Sequence, residues 1–297
     1  MQGPLARMLA RKELLLLDGA MGTELQRRGV DTGLPLWSAN ALETHPETVL
    51  EIHRDYIDAG AEIITTNTFR TTRRTLRRAN LPDRSLQLTA KAVELARRAR
   101  GEWPEKELLV AGSMAPLEDC YRPDLVPPDR ELDKEHAELA GRLAGDGVDF
   151  ILLETMNTIR EAYAACGAAL STGKEVVVSF ICDRKGNLYG GEPLDVAVQT
   201  LMELHPTAFS INCVSPRHMR NPLEVLKNST SLPFAIYANV GSPEGRGEGR
   251  KFVRDVQEEE YALQSREWRR NGASIIGGCC GTTPEYIRVL SGAMANM

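Results

Sequence analysis

Short runs of apolar residues alternate with longer amphipathic stretches along the whole chain. Eight such units follow one another, each an apolar run and then a stretch in which apolar residues recur at helical spacing. The apolar runs are residues 13–18, 62–66, 108–112, 150–154, 175–182, 208–213, 233–239 and 274–277. Because they are apolar at nearly every position, they indicate strands buried on both faces, as in a parallel sheet covered by helices.

Two of the amphipathic stretches carry clear helix signals. The sequence HPE at 45–47 precedes a run with helical spacing, and Gly60 predicts the end of that helix. The sequence TPE at 283–285 places a capping residue, a proline and an acid at the start of the last helix. Eight strand and helix units predict a single (β/α)8 barrel, with an open doubly wound sheet as the alternative. No break in composition marks a boundary, so we expect residues 1–297 to form one domain.

Composition narrows the class of protein. The 297 residues are 42% hydrophobic and 26% charged, which is ordinary globular usage. No run approaches the roughly 20 apolar residues of a membrane helix, and the first residues lack the apolar centre of a secretory signal, so we expect a cytoplasmic protein. A net charge of -5 argues against a nucleic-acid partner. The six cysteines are spread through the chain, so we expect reduced thiols that are available for metal binding or catalysis.

Polar and reactive residues lie where the predicted strands end. In chain order they are Asp18, Thr66, Asn67, Glu154, Asn212, Cys213, Cys279 and Cys280. In a (β/α)8 barrel all these strand ends meet at one mouth, where active sites of this fold are found. We therefore treat all of them as candidate metal-binding or substrate-binding residues.

Three of these residues are the thiols of Cys213, Cys279 and Cys280, which suit a catalytic zinc site with three protein ligands and a fourth position for substrate. The glycines that flank the adjacent pair would let the backbone turn so that both sulfurs reach one ion. A redox pair is the alternative, although a disulfide between neighbouring residues would be strained. For the other three cysteines, packing as small hydrophobic residues is the preferred interpretation. They are Cys120, Cys166 and Cys182.

Two carboxylates, Asp18 and Glu154, end long apolar runs, where an unpaired charge is costly to bury. An ammonium group between them would satisfy both, whereas an ordinary helix cap is an almost equal interpretation for Asp18. Trp37 follows the first run in a predicted loop, where it could bind a cationic ligand through its ring or simply anchor the loop.

Two conspicuous segments carry less information. The arginines within residues 70–78 are typical of a solvated helix face. The glycine-rich residues 241–249 suggest a mobile insertion in the seventh unit, and their spacing does not match a phosphate-binding loop.

Five motifs together resemble the homocysteine S-methyltransferase family, and they occur in order over nearly the whole chain: LLLLDGAMGTEL, TTNTF, LLET, INC and IIGGCCGTTPEYI. This family includes betaine–homocysteine methyltransferase and the homocysteine module of cobalamin-dependent methionine synthase. The resemblance implies a (β/α)8 barrel in which Cys213, Cys279 and Cys280 hold Zn²⁺. It also implies that Asp18, Gly19 and Glu154 hold the amino-acid end of homocysteine.

The methyl donor is less clearly indicated. The stretch LPLWSA around Trp37 resembles the compact branch of the family, which implies S-methylmethionine or S-adenosylmethionine as donor. The stretches GSMAPLEDCYRPD and YANVG depart from that branch, and both are predicted to lie at the mouth. Betaine or a separate corrinoid or folate protein therefore remains an alternative donor, and a non-catalytic zinc-thiolate binding protein is an alternative to an enzyme.

Overall fold

Eight parallel strands form one sheet in the computed structural model, which describes residues 3–244 and 251–295. They are β1 (Leu15–Leu16), β2 (Ile63–Thr65), β3 (Leu109–Met114), β4 (Phe150–Met156), β5 (Glu175–Phe180), β6 (Ala208–Asn212), β7 (Phe234–Ala238) and β10 (Ile275–Gly278). Their order in the sheet is β1-β10-β7-β6-β5-β4-β3-β2. The two ends of this row meet, because Glu62 N donates to Leu16 O at 2.7 Å and Asp18 N donates to Ile63 O at 2.9 Å. The predicted (β/α)8 barrel is therefore confirmed.

At least one helix lies between each pair of consecutive barrel strands. The helices are α1 (Pro4–Arg11), α2 (Gly22–Arg27), α3 (Ala41–Thr44), α4 (Pro46–Asp58), α5 (Arg73–Arg78), α6 (Ser85–Gly101), α7 (Asp129–Asp146), α8 (Ile159–Leu170), α9 (Leu194–Met202), α10 (Arg220–Ser229), α11 (Glu258–Arg270) and α12 (Pro284–Ala295). The helices α4 and α12 begin at the prolines that predicted them. Among the described residues, no helix is both long and apolar enough to span a membrane.

Helix α1 closes the amino-terminal end of the barrel, and the sequence patterns did not predict it. Its Leu5 and Met8 are fully buried in the cluster of apolar side chains that fills the barrel interior. The carboxylate of Glu175, at the start of β5, accepts hydrogen bonds from Leu5 N and Ala6 N at 2.8 and 2.9 Å. These bonds satisfy free amides at the helix start and hold α1 against the amino-terminal end of the barrel.

Part of the glycine-rich segment forms a strand, which the sequence did not predict. Strand β8 (Gly241–Glu244) pairs with β9 (Lys251–Arg254) in an antiparallel ladder that lies between β7 and α11 in the chain. This pairing satisfies backbone groups of the segment, which its glycine content alone does not reveal. The rest of the predicted insertion, residues 245–249, lies outside the described residues.

The predicted solvated arginine face is also partly wrong. Arg74 of α5 is only 21% exposed and contacts three carboxylates, those of Glu118, Glu131 and Glu135. Glu118, which lies after β3 and is almost fully buried, also receives Arg78. This network holds the loop after β3 against α5 and α7, so the arginines have a structural role.

Candidate active site

A cavity of about 820 Å³ opens at the carboxyl ends of the barrel strands. This volume lies within the range of roughly 300–1,000 Å³ that is typical of small-molecule sites. Every residue singled out from the sequence as a site candidate lines it: Asp18, Gly19, Trp37, Thr66, Asn67, Glu154, Asn212, Cys213, Cys279 and Cys280. The barrel thus brings together residues that are separated by more than 250 positions in the chain.

The three thiols of Cys213, Cys279 and Cys280 form one cluster in this cavity. Cys213 Sγ lies 3.2 Å from Cys279 Sγ and 4.0 Å from Cys280 Sγ, and all three sulfurs are within 4.8 Å of one another. Ligands at about 2.3 Å in a tetrahedron would be roughly 3.8 Å apart, so this donor set fits zinc. The part of the chain that the structure describes contains no other group of three His, Cys, Asp or Glu side chains with this spacing.

Cys213 is positioned by an unusual backbone conformation at the end of β6. Its φ angle is +58°, in the left-handed region that non-glycine residues rarely adopt. Asn239, which follows β7, holds this turn: its side-chain Nδ2 donates to Cys213 O at 3.0 Å, and its backbone N donates to Val214 O at 3.0 Å. Asn239 is 3% exposed, so these bonds are protected from water.

The same asparagine also holds the loop that carries the other two cysteines. Cys280 N donates to Asn239 Oδ1 at 3.1 Å, and Val240 N donates to Cys280 O at 3.0 Å. Cys279 N donates to Ala238 O at 2.9 Å, which continues the pairing of β10 with β7. The side chain of Asn239 therefore bridges the two segments that supply the thiols.

The glycines near the cysteine pair have a different role from the one predicted. Gly277 and Gly278 belong to β10 and do not have left-handed φ angles. Glycine is needed at both positions because neighbouring atoms leave no room for a side chain. A Cβ on Gly277 would lie 2.6 Å from Leu17 Cβ, and one on Gly278 would lie 2.4 Å from Thr282 Oγ1. Only Gly281, with φ +84°, provides the conformational freedom that the sequence suggested.

Asp18 is held at the end of β1 by the neighbouring strand. Its carboxylate accepts from Thr65 N at 2.7 Å and from Thr65 Oγ1 at 2.9 Å, so the alternative of a helix cap is wrong. Burial raises the pKa of Asp18 well above its ordinary value, and the nearby charge of Glu154 raises it further. Gly19 beside it cannot carry a side chain, because a Cβ would lie 2.7 Å from Tyr56 and from Thr282.

Glu154, in β4, is the second carboxylate of the cavity. It accepts a short hydrogen bond from Ser113 Oγ of β3. Burial raises the pKa of Glu154 to about 7, despite the opposing effect of that hydrogen bond. Since burial disfavours the charged form of both carboxylates, and the charge of Glu154 adds to this effect at Asp18, a cation bound between them would favour the ionised form of each.

Three further candidates form the walls of the cavity. Asn212 Oδ1 accepts from Thr155 N at 3.0 Å and from Ser179 Oγ at 2.6 Å, and Asn212 Nδ2 lies 4.0 Å from Cys279 Sγ. Thr66 and Asn67 make hydrogen bonds within the surrounding loops, the first accepting from Ser113 N at 3.1 Å and the second donating to Ser38 O at 2.9 Å. Among the described residues nothing donates to the buried Oδ1 of Asn67, which leaves an acceptor in the wall.

Aromatic side chains complete the cavity. Trp37 begins a short 3-10 helix (Trp37–Asn40) rather than lying in an irregular loop, and its indole packs on Gly22, where a Cβ would be 2.3 Å from Nε1. Tyr121, which the sequence analysis did not select, places its hydroxyl 3.9 Å from Cys213 Sγ. Its ring meets that of Tyr189 edge to face at 5.8 Å. The sequence did indicate the importance of the loop that carries Tyr121, because the stretch GSMAPLEDCYRPD after β3 departs from the compact branch of the family.

A parallel barrel with a deep cavity at the carboxyl ends of its strands has the architecture of a barrel enzyme. A sequence model of the family described as homocysteine S-methyltransferase matches residues 15–294. The homocysteine S-methyltransferase of Escherichia coli (strain K12) is 33% identical, over 97% of this chain and 97% of that protein. Homocysteine S-methyltransferase YbgG of Bacillus subtilis (strain 168) is 30% identical, over 97% and 96% of the two chains.

A solved structure agrees with these matches. The metallated form of the Escherichia coli homocysteine methyltransferase MmuM superimposes with a TM-score of 0.85 at 31% identity, covering 97% of this chain and 99% of that one. The chain belongs to the homocysteine S-methyltransferase family, and it is therefore a methyltransferase.

Proposed function

We propose that this chain transfers a methyl group to the thiol of L-homocysteine, giving methionine, and that Cys213, Cys279 and Cys280 hold a zinc ion for this reaction. The observation that supports the zinc site best is the convergence of the three sulfurs within 4.8 Å in the barrel cavity. Thiolates favour zinc over hard cations, and three protein ligands leave a fourth position for a substrate atom. Zinc bound there would lower the pKa of the homocysteine thiol and make it nucleophilic at neutral pH.

The amino-acid end of homocysteine would bind between the two carboxylates. Asp18 and Glu154 both line the cavity, and burial raises the pKa of each carboxyl group. A substrate ammonium between them would supply a cation, so binding would favour ionised carboxylates and fix the orientation of the substrate. Gly19, which lines the cavity next to Asp18, would lie at the same end of the substrate.

The donor would be a cation whose methyl carbon is attacked in line. The new bond forms between the homocysteine sulfur and the methyl carbon, and the bond to the donor sulfur breaks with its electron pair staying on that sulfur. The charge of a sulfonium is thereby lost, so aromatic rings that stabilise the cation help binding rather than the step itself. Tyr121, beside the thiol cluster, and Trp37 are such rings.

We propose S-methylmethionine, or S-adenosylmethionine, as this donor. Betaine and a separate corrinoid or folate protein remain the alternatives, because the loop that carries Tyr121 is the one that departs from the compact branch of the family. A zinc-thiolate binding protein is the alternative to an enzyme, and it would bind zinc without turning over any donor.

The decisive experiment is a donor panel at fixed homocysteine with zinc-loaded protein, read as methionine formed. We expect turnover with S-methylmethionine and S-adenosylmethionine alone, and none after removal of zinc by a chelator. Turnover only with betaine, or only when a methyl-corrinoid or methyl-folate protein is added, would contradict the donor assignment. Stoichiometric zinc without methionine from any donor would contradict the enzyme assignment itself.

A further inference from the structure

Arg70 is a cation on the wall of the active-site cavity that no carboxylate of the described chain neutralises. It follows β2 and lines the cavity together with Phe69, over whose ring its guanidinium lies at 5.4 Å from the centroid. One N–H donates to the carbonyl oxygen of Glu118 at 3.2 Å. Among the described residues, no carboxylate oxygen lies within 4.0 Å of the guanidinium, so most of its donors are available to a ligand.

The neighbouring arginines differ from Arg70 in this respect. Arg73, Arg74 and Arg78 of α5 all pair with glutamates: Arg73 with Glu138 of α7, and the other two with Glu118 of the loop after β3. None of these three arginines lines the cavity. The ion-pair network that holds Arg73, Arg74 and Arg78 therefore does not explain the position of Arg70.

Arg70 lies on the same wall as Tyr121. The guanidinium of Arg70 donates to the carbonyl oxygen of Glu118, which lies in the same loop after β3 as Cys120 and Tyr121. Cys120 is the residue before Tyr121, whose hydroxyl approaches the thiol of Cys213. The carboxylates of Asp18, which follows β1, and Glu154, in β4, line the same cavity on other strands.

We propose that Arg70 binds the carboxylate of the methyl donor, so that the enzyme selects donors that carry both a cationic methyl-bearing centre and a carboxylate. This inference rests on the proposed function. The acceptor thiol and the donor methyl group must meet at the cysteine cluster, so the two molecules extend from it in different directions. Homocysteine extends toward the two carboxylates, and the donor extends along the wall of Tyr121 and Arg70, where a planar guanidinium can bind its carboxylate through two hydrogen bonds.

The test compares S-methylmethionine with its carboxamide, which keeps the sulfonium and lacks the carboxylate. For Arg70→Met we expect kcat/KM for S-methylmethionine to fall about 10- to 100-fold, the range of a charge-assisted hydrogen bond. The value for the carboxamide should change less than about twofold, and so should the KM for homocysteine. Arg70→Lys should recover part of the loss, and Arg73→Met, which removes an arginine paired with Glu138, should behave as wild type.

The outcomes separate this inference from the proposed function. Active wild-type enzyme whose Arg70→Met variant keeps its preference for the acid over the carboxamide would overturn the role of Arg70 alone. An equal loss with both donors would show a purely structural role, through the bond to Glu118, and would also overturn it. A rise in the homocysteine KM without a change in the donor KM would assign Arg70 to the acceptor instead. Wild-type protein without methyl transfer from any donor would overturn both.

Discussion

The side-chain amide of Asn239 donates a hydrogen bond to the carbonyl oxygen of Cys213 at 3.0 Å. Through its Oδ1 the same amide accepts from the backbone of Cys280 at 3.1 Å. One buried side chain therefore fixes the distance between the segment after β6 and the segment after β10. Because the three thiols come from both segments, their spacing depends on a residue that has no thiol.

Replacing Asn239 with alanine should weaken metal binding without unfolding the barrel. Loss of an outer partner of this kind typically costs about 10- to 100-fold in metal affinity. Asn239→Asp should be no better, since it loses the donor to Cys213 and adds a negative charge beside three thiolates. Competition with a chromophoric zinc chelator measures the affinity directly.

Asn157 offers a matched control for this variant. It is a buried asparagine after β4 whose Nδ2 donates to the carbonyl oxygen of Cys120 at 3.0 Å, outside the thiol cluster. Asn157→Ala should keep wild-type zinc affinity even if it costs some stability. Equal zinc affinities for Asn239→Ala and wild type would show that the bridge is not needed.

Serine in place of Cys213, Cys279 or Cys280 should remove the metal and the activity together. Each hydroxyl replaces a thiolate that zinc prefers, and two remaining thiolates do not complete the site. We expect zinc to fall from one per chain to well below half in each variant, while circular dichroism and the thermal midpoint stay close to those of the metal-free wild type. Cys166→Ala, in the buried core of α8, should keep its zinc. Full zinc content in any of the three serine variants would remove that residue from the ligand set.

The barrel could be predicted because its strands are apolar on both faces, so the signal is local to each run. Helix α1 could not, because its start is held by Glu175, about 170 positions away in sequence. Its contribution to the fold depends on burial of Leu5 and Met8 against the barrel interior. Neither contact leaves a local pattern.

Placement at strand ends was enough to bring the site candidates to one cavity, because parallel strands in a barrel share one direction. The residues that organise the site were missed because their roles depend on contacts between distant loops rather than on the direction of the strands. Asn239 and Tyr121 lie in the two stretches that depart from the compact branch, but their contacts with the thiol segments form only in the folded chain. The glycines before Cys279 were selected correctly and explained wrongly, since close approach of Leu17 was not visible in the sequence.

His53 should make the protein sensitive to acid. It is fully buried in α4, and among the described residues neither ring nitrogen has a hydrogen-bond partner. Burial lowers its pKa from 6.5 to about 4, so the unfolded chain binds a proton that the folded chain does not. The resulting stability is complete above pH 6.5 and is lost as pH falls toward 4, at up to about 1.4 kcal/mol per pH unit.

Replacing His53 with leucine should remove the loss of stability that His53 causes at acidic pH. We expect the free energy of unfolding in urea to exceed that of wild type by about 1 kcal/mol at neutral pH, because unpaired buried nitrogens are removed. The difference should grow between pH 6.5 and pH 5. His218→Leu, at an exposed histidine, should follow the wild-type curve. A constant difference at all pH values would mean that His53 does not titrate as its burial requires.

Ionisation of Glu154 should favour binding of the substrate ammonium but lower the stability of the fold. Its pKa in the folded chain is about 7, above the ordinary 4.5, so the folded chain keeps a proton that the unfolded chain releases. Stability should therefore fall as pH rises from 4.5 to 7 and then level off, by about 1 to 3 kcal/mol in the protein without substrate. Glu154→Gln cannot release this proton, so its unfolding free energy should not show that fall.

The same substitution should weaken binding of homocysteine, because a neutral amide no longer pairs with the substrate ammonium. We expect the homocysteine KM of Glu154→Gln to rise about 10-fold or more while zinc stays bound. Urea unfolding at pH 5 and pH 8 and steady-state kinetics at pH 7.5 test the two effects in one variant. Glu203→Gln, at an exposed glutamate after α9, should change neither. A variant that gains stability at pH 8 but keeps the wild-type homocysteine KM would place the ammonium elsewhere, with Asp18 as the remaining carboxylate.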